Sequence, residues 1–303
     1  MHIPDGFLST PVAGSLWLVA AGANAVALRQ LQRDLEEGEL PTLGVLAAGV
    51  FAAQALNVPV LGGTSGHLVG TALLTALVGL PAATVVMTAV LTVQVLVFQD
   101  GGLLALGANV ANMAVVGSLV AHGVVTAMRR LWRTRVGQAA AVFLAGWSAT
   151  VAGAAATALE LALSGTSPAN VVVPAMVVVH AAVGVLEGTL SVAAWRLVTA
   201  ARPALAAPRS ALAPGIMGLA VAGALAFLAP WASSDPDGLE RVATDLGFHS
   251  FARPAPFTLF PDYRLPRVVP DPWNTALAVL LGAALAYSLL RGLGRVLAAR
   301  RTS

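Results

Sequence analysis

Residues 66–98 read GHLVGTALLTALVGLPAATVVMTAVLTVQVLVF and contain no Asp, Glu, Lys or Arg. About 20 consecutive apolar residues suffice to cross the hydrocarbon core of a bilayer. This stretch is either one long helix or two helices broken at Gly79-Leu80-Pro81. Two are expected, because proline ends a helix and the residue before it resists helical geometry. Further apolar runs lie near 8–28, 41–57, 103–128, 136–163, 170–198, 213–232 and 273–292. With 66–79, which is short, and 81–98, the chain shows about nine candidate spans. The fold class expected is an all-α integral membrane protein.

Composition agrees with that reading. Of 303 residues, 57% are hydrophobic and 10% are Asp, Glu, Lys or Arg, against about 25% charged in a soluble domain. Mean hydropathy is +0.82. So few charges cannot cover a soluble surface, which excludes a soluble enzyme, a nucleic-acid binder and a disordered chain. There is no cysteine, so disulfides, thiolate metal sites and cysteine nucleophiles are excluded. The isoelectric point is about 10.5, but the net charge is only +3 and all 17 basic residues are arginine. That is compositional bias rather than a binding patch, and no nucleic-acid partner is expected.

Arginines set the orientation, since basic residues stay in the cytoplasm. Arg29 and Arg33 follow span one. Arg129, Arg130, Arg133 and Arg135 follow span five, and Arg196, Arg202 and Arg209 follow span seven. Arg291, Arg295, Arg300 and Arg301 follow span nine. An odd span count puts thirteen of the 17 arginines on one side. Arg241, Arg253, Arg264 and Arg267 fall in a loop, 233–272, on the other. The N-terminus is therefore expected outside and the C-terminus in the cytoplasm. No basic residue precedes span one, so the start does not read as a signal peptide. Residues 1–200 form a seven-span domain, 201–212 an Ala/Pro/Arg-rich cytoplasmic linker, and 213–303 a helix, an external loop and a helix.

Ionisable or polar residues within spans are functional candidates. Gln94, Asn109 and Asn112 read as hydrogen-bond glue between helices, His122 as interfacial, and Glu160 as snorkelling from an outer helix end. His180 and Glu187, seven apart and on one face, are either a buried structural pair or a proton path.

The start Met1-His2 offers a metal three nitrogens: the terminal amine, the deprotonated His2 amide and the imidazole Nδ1. Their chelate rings of five and six members are nearly planar. His67, after the turn 62–66, is the candidate fourth nitrogen, on the same expected outer side. A square plane of nitrogens suits Ni(II) or Cu(II) and can be imposed on Co(II), whereas zinc prefers a tetrahedron. The amine must be free: the bulky His2 should protect Met1 from removal, and the formyl group must come off.

The opening MHIPDGFLS, the segment GGTSGHLVG around His67 and the run VLTVQVLVFQDGGLLALGANVANM (90–113) resemble the CbiM/NikM family. These are the substrate-binding S components of energy-coupling factor (ECF) transporters for cobalt and nickel. The resemblance covers roughly residues 1–200. It implies a seven-helix core with an inserted N-terminus, and a metal held by Met1, His2 and His67. It also implies the partners: a transmembrane T component and two cytoplasmic ATPase subunits in the cytoplasmic (inner) membrane. The chain itself lacks the GxxxxGKS/T phosphate loop, so it is not expected to be an enzyme. No cofactor is implied, and the transported ligand is Co(II) or Ni(II). Copper fits the plane equally and is excluded by the family alone. Asp5 is expected to fix the N-terminal segment, and Thr64 and Ser65 to orient His67.

The C-terminal part resembles a PDGLE domain, through Asp235-Pro236-Asp237-Gly238-Leu239-Glu240 and Phe260-Pro261-Asp262-Tyr263. It looks like a two-span stand-in for a small accessory subunit. Asp235, Asp237 and Glu240 are either weak metal-capturing carboxylates or members of a turn. Two other functions compete. An autonomous carrier would relay protons through Glu160, His180 and Glu187. An integral-membrane metalloenzyme would need an open coordination position and a general acid or base, for which Asp5 is the nearby candidate.

Overall fold

A computed structural model describes residues 1–34, 40–132, 134–205, 213–257, 259–266, 270 and 273–299. The expectations for Arg133, Arg209, Arg267, Arg300, Arg301 and linker residues 206–212 lie outside the described residues. The helices are α1 (Thr10–Asp34), α2 (Leu40–Gln54), α3 (Thr71–Val93), α4 (Leu106–Asn109), α5 (Gly117–Leu131), α6 (Arg135–Leu163), α7 (Ala169–Leu205), α8 (Ala213–Leu228), α9 (Gly238–Asp245) and α10 (Trp273–Ala299). A two-strand antiparallel hairpin, β1 (Val58–Val60) and β2 (Thr64–Gly66), pairs Val60 with Thr64. The chain is thus an all-α membrane protein. Among the described residues six helical stretches are long and apolar enough to span, and Pro41–Gln54 and Ala220–Trp231 are shorter apolar helices.

By length alone 71–98 would be one span, and a straight helix of that length would hold its ends about 40 Å apart. Instead both flanks meet at His2, whose ring stacks on His67 and whose Nδ1 lies 3.1 Å from Asp100. The chain therefore reverses within α3. Gly79 is the reversal, with non-helical φ 80° and ψ 172°. The expected break is present, but the expected span 66–79 is corrected. Its first residues form β2 and a loop, and helix runs only from Thr71 to the break, too short to cross a bilayer. His67 sits in that loop rather than opening a helix. Residues 201–205 of the expected linker continue α7.

Helix packing relies on small residues, as lipid-embedded interfaces do. A Cβ on Gly146 would sit 3.1 Å from Gly188 Cα, and one on Gly184 would meet Trp147, so α6 and α7 approach at their backbones. The C-terminal helices α8 and α10 pack on α2. A Cβ at Gly282 would run into Phe51, and Phe51, Phe98 and Tyr263 form an aromatic cluster beneath the 233–266 segment.

Candidate metal centre

The N-terminal segment is threaded into the helix bundle. Ile3 and Phe7 are fully buried. The Asn109 side chain clasps Ile3, accepting from its N–H (2.8 Å) and donating to its carbonyl (3.1 Å). Gly102 N–H also donates to the Ile3 carbonyl. The Asp5 carboxylate accepts from the backbone N–H of Leu103, Leu104 and Ala105, and the Asp5 carbonyl accepts from Arg253 N–H. Asp5 therefore ties the segment to the turn before α4 and to the C-terminal domain. Asn109 is a clasp for this segment rather than interhelical glue. Asn112 (to Thr157 and Glu160) and Gln94 (to Gln54) do join helices.

Threading brings Met1, His2 and His67 together. Met1 and His67 are each 7% exposed. The His2 and His67 rings stack with centroids 5.7 Å apart and planes 18° apart. His2 Nδ1 contacts Asp100, and His2 Nε2 is buried without a partner among the described residues. The Met1 amine contacts Asp237 Oδ2 at 2.5 Å. Tyr263 donates its hydroxyl to the Asp100 carboxylate at 2.7 Å. Among the described residues no three His, Asp or Glu side chains converge as a metal cage.

The surroundings of His67 hold its imidazole neutral. Burial, then the neighbouring N-terminal ammonium and His2, push His67 down to about 4, so it is a neutral imidazole at ordinary pH. Burial alone would raise the Asp100 carboxyl. The His2 imidazole, with hydrogen bonds from His2 and Tyr263, overcomes it and holds Asp100 below the usual carboxylate range. Asp237 is likewise held low by the N-terminal ammonium against its own burial. Burial and Asp100 push Tyr263 well above the usual phenol range.

A cavity of about 690 Å³ opens onto His2. Its wall carries Asp100, Asp235, Asp237, Glu240 and Asp262, most of them from the C-terminal domain.

Other candidates take different places. The Ser65 hydroxyl donates to the Asp235 carbonyl (2.7 Å), not to His67. Thr64 is a β2 residue paired with Val60. Glu160 is buried against Asn112 rather than snorkelling. His180 and Glu187 are not a pair. His180 Nδ1 faces the Met176 carbonyl, while Glu187 accepts from Val69 and Gly70 N–H and from the Ser191 hydroxyl. The three groups proposed for a proton relay thus each hold a separate partner. The sequence drew attention to Asp100, Tyr263 and Glu187 but assigned neither the Asp100–Tyr263 contact nor the Glu187 clamp on the His67 loop. The one signal was an Asp beside Gly101-Gly102. Residues 235–240 are a helix start rather than a free turn: Asp237 is the N-cap of α9 and forms a capping box with Glu240.

Residues 2–205 match the family described as the cobalt uptake substrate-specific transmembrane region. Residues 210–299 match the PDGLE domain. The chain is 36% identical to a putative fused nickel transport protein NikMN of Archaeoglobus fulgidus, over 95% of this chain and 96% of the relative. It is 42% identical to a putative metal transport protein of Haloquadratum walsbyi, over 68% of this chain and 93% of that one. A solved structure, a truncated transition metal transporter, superposes with a TM-score of 0.60 at 30% identity. It covers 66% of this chain and 98% of its own.

Proposed function

The chain belongs to the CbiM family of cobalt uptake substrate-specific transmembrane regions, and from that premise we propose that it captures Co(II) or Ni(II) outside the cell as the S component of an ATP-driven ECF transporter. The metal is cargo. Its donors are the Met1 amine, the His2 amide nitrogen and Nδ1, and the His67 imidazole, in a plane. The observation that carries this is the burial of Met1, His2 and His67 together at the end of a threaded N-terminus. Loading has a consequence for the empty contacts: Nδ1 cannot bind a metal and remain with Asp100, so His2 leaves that carboxylate as the chelate closes.

Residues 1–200 serve as the metal-binding domain and 213–303 as a PDGLE-type domain docked on it. The ends of α1, α5, α7 and α10 remote from the site carry Arg29, Arg33, Arg129, Arg130, Arg196, Arg291 and Arg295. That supports an N-terminus outside and a C-terminus in the cytoplasm of the inner membrane. Energy comes from a T component and two ATPase subunits, since the chain has no phosphate loop of its own.

The test is metal content and visible absorption of full-length protein with a native Met1 amine, loaded in turn with Ni(II), Co(II), Cu(II) and Zn(II). One tightly held Ni or Co per chain is expected, lost on His2→Ala and on acetylation of the amine. Retention after acetylation would overturn the site.

A further inference from the structure

The motif 235–240 is the part of the C-terminal domain nearest the proposed donors, and each of its residues has a place. The Asp235 and Pro236 carbonyls accept from the Ser65 hydroxyl and N–H, at 2.7 and 2.8 Å, so the turn docks on the strand leading to His67. Gly238 closes on His180, where a Cβ would come within 2.7 Å of the ring. Leu239 is buried. Asp237 divides its two oxygens. Oδ1 accepts from Leu239 and Glu240 N–H and caps α9, while Oδ2 faces the Met1 amine. The capping box therefore holds the carboxylate rigidly, with its second oxygen at the proposed metal-binding nitrogen.

We infer that Asp237 is a positioning residue of the metal site: it fixes the N-terminal nitrogen beside His2 and His67, so that capture depends on the docked 235–240 turn. The inference rests on the amine reading above. Binding balances as follows. The divalent ion replaces one proton of the ammonium and one of the His2 amide, and two protons leave. The net charge facing Asp237 is +1 before, from the ammonium, and +1 after, from the divalent ion with one amide anion. A coordinated amine keeps two N–H bonds, so one can still donate to Oδ2. Asp237 thus serves both states, as a carboxylate beyond the ligands orients them in other metal sites. Removing it releases the four-nitrogen chelate's first member into the cavity and costs affinity.

The chain contains no lysine, so with a native start the Met1 amine is its one primary amine. Acylation by an amine-reactive ester then reports that nitrogen alone. The experiment compares full-length wild type, Asp237→Ser and Asp237→Asn. Ser and Asn keep a competent N-cap but lose the charge, and Ser also loses the reach. Asp245→Asn, which removes an exposed carboxylate paired with Arg241 on the same helix, is the control. Asp237→Ser is expected to be acylated at least tenfold faster in the empty protein and to bind Ni(II) at least tenfold more weakly. Asp237→Asn should fall between, and Asp245→Asn should match wild type. A merely structural role for Asp237 predicts no change in acylation rate in the capped variants. Wild-type acylation and affinity in Asp237→Ser would overturn the inference. If acetylated wild type loses the metal while Asp237→Ser behaves as wild type, only this inference fails. If acetylated wild type keeps the metal, the amine site and this inference fall together.

Discussion

At the residue scale, the site is built by backbone contacts to a threaded segment, so its weakest points are not the ligands. Gly102 donates to the Ile3 carbonyl, and a Cβ there would run into the Asp5 carboxylate and backbone N–H. Gly102→Ala is expected to lift residues 3–5 and weaken Ni(II) binding at least tenfold with every donor intact, measured by competition with a chelator. His67 gives a pH prediction. Its folded value, about 4, lies below the ordinary 6.5, so the unfolded chain binds the extra proton first. The empty protein should lose stability as pH falls from about 6.5 towards 4, with no contribution from this group above that window. Replacing His67 by Gln should flatten that part of the stability profile in thermal melts.

At the element scale, the reversal at Gly79, far from the site beside Arg129, and the turn at Gln99, next to the site, are both made by uncommon backbone. Gly79 occupies a region essentially confined to glycine, where a side chain costs about 1–3 kcal/mol. Gly79→Ala is expected to lower stability by that order, since nothing lies near enough to clash and the strain is conformational. Two π segments, Gln94–Phe98 and Val110–Val116, flank the site. Such widened turns re-aim side chains and are frequent at functional positions. The first ends at Gln99 with φ 54°, directly before Asp100. Glu187 of α7 clamps the Val69 and Gly70 N–H groups and so holds the His67 loop. Glu187→Ala should therefore weaken metal binding itself. A proton-relay carrier predicts the reverse, lost flux with binding intact, and paired binding and flux assays on this one variant separate the two.

At the scale of the whole molecule, the C-terminal domain is part of the site's surroundings rather than an appendage. It packs α8 and α10 on α2, sends Asp237 to the Met1 amine and Tyr263 to Asp100, and supplies much of the acidic wall above His2. A wall of carboxylates raises the local concentration of cations, so metal uptake onto the empty protein should slow with rising ionic strength. The sequence also contains no GxxxxGKS/T phosphate loop. In vesicles containing this protein alone, ATP is expected to drive no accumulation of Co(II) or Ni(II). Accumulation should appear only with the coupling subunits.

The sequence by itself determined the membrane class and the break at Gly79, and it offered Met1, His2 and His67 as the candidate donors. Those are properties of local composition and spacing: long uncharged runs, a glycine two residues before a proline, and the adjacent nitrogens of Met1 and His2. Only the tertiary structure decided who partners whom across long separations. Asp237 reaching Met1, Glu187 reaching the His67 loop and Asn109 clasping Ile3 each join residues roughly a hundred or more apart. No periodicity encodes such pairs. They follow from the burial of polar groups, each of which must find a partner when water is excluded, and the nearest partner is set by packing. The same cause separated His180 from Glu187. They share a helix face in sequence, but His180 turns to the Met176 carbonyl of its own helix beneath Gly238, while the His67 loop takes Glu187.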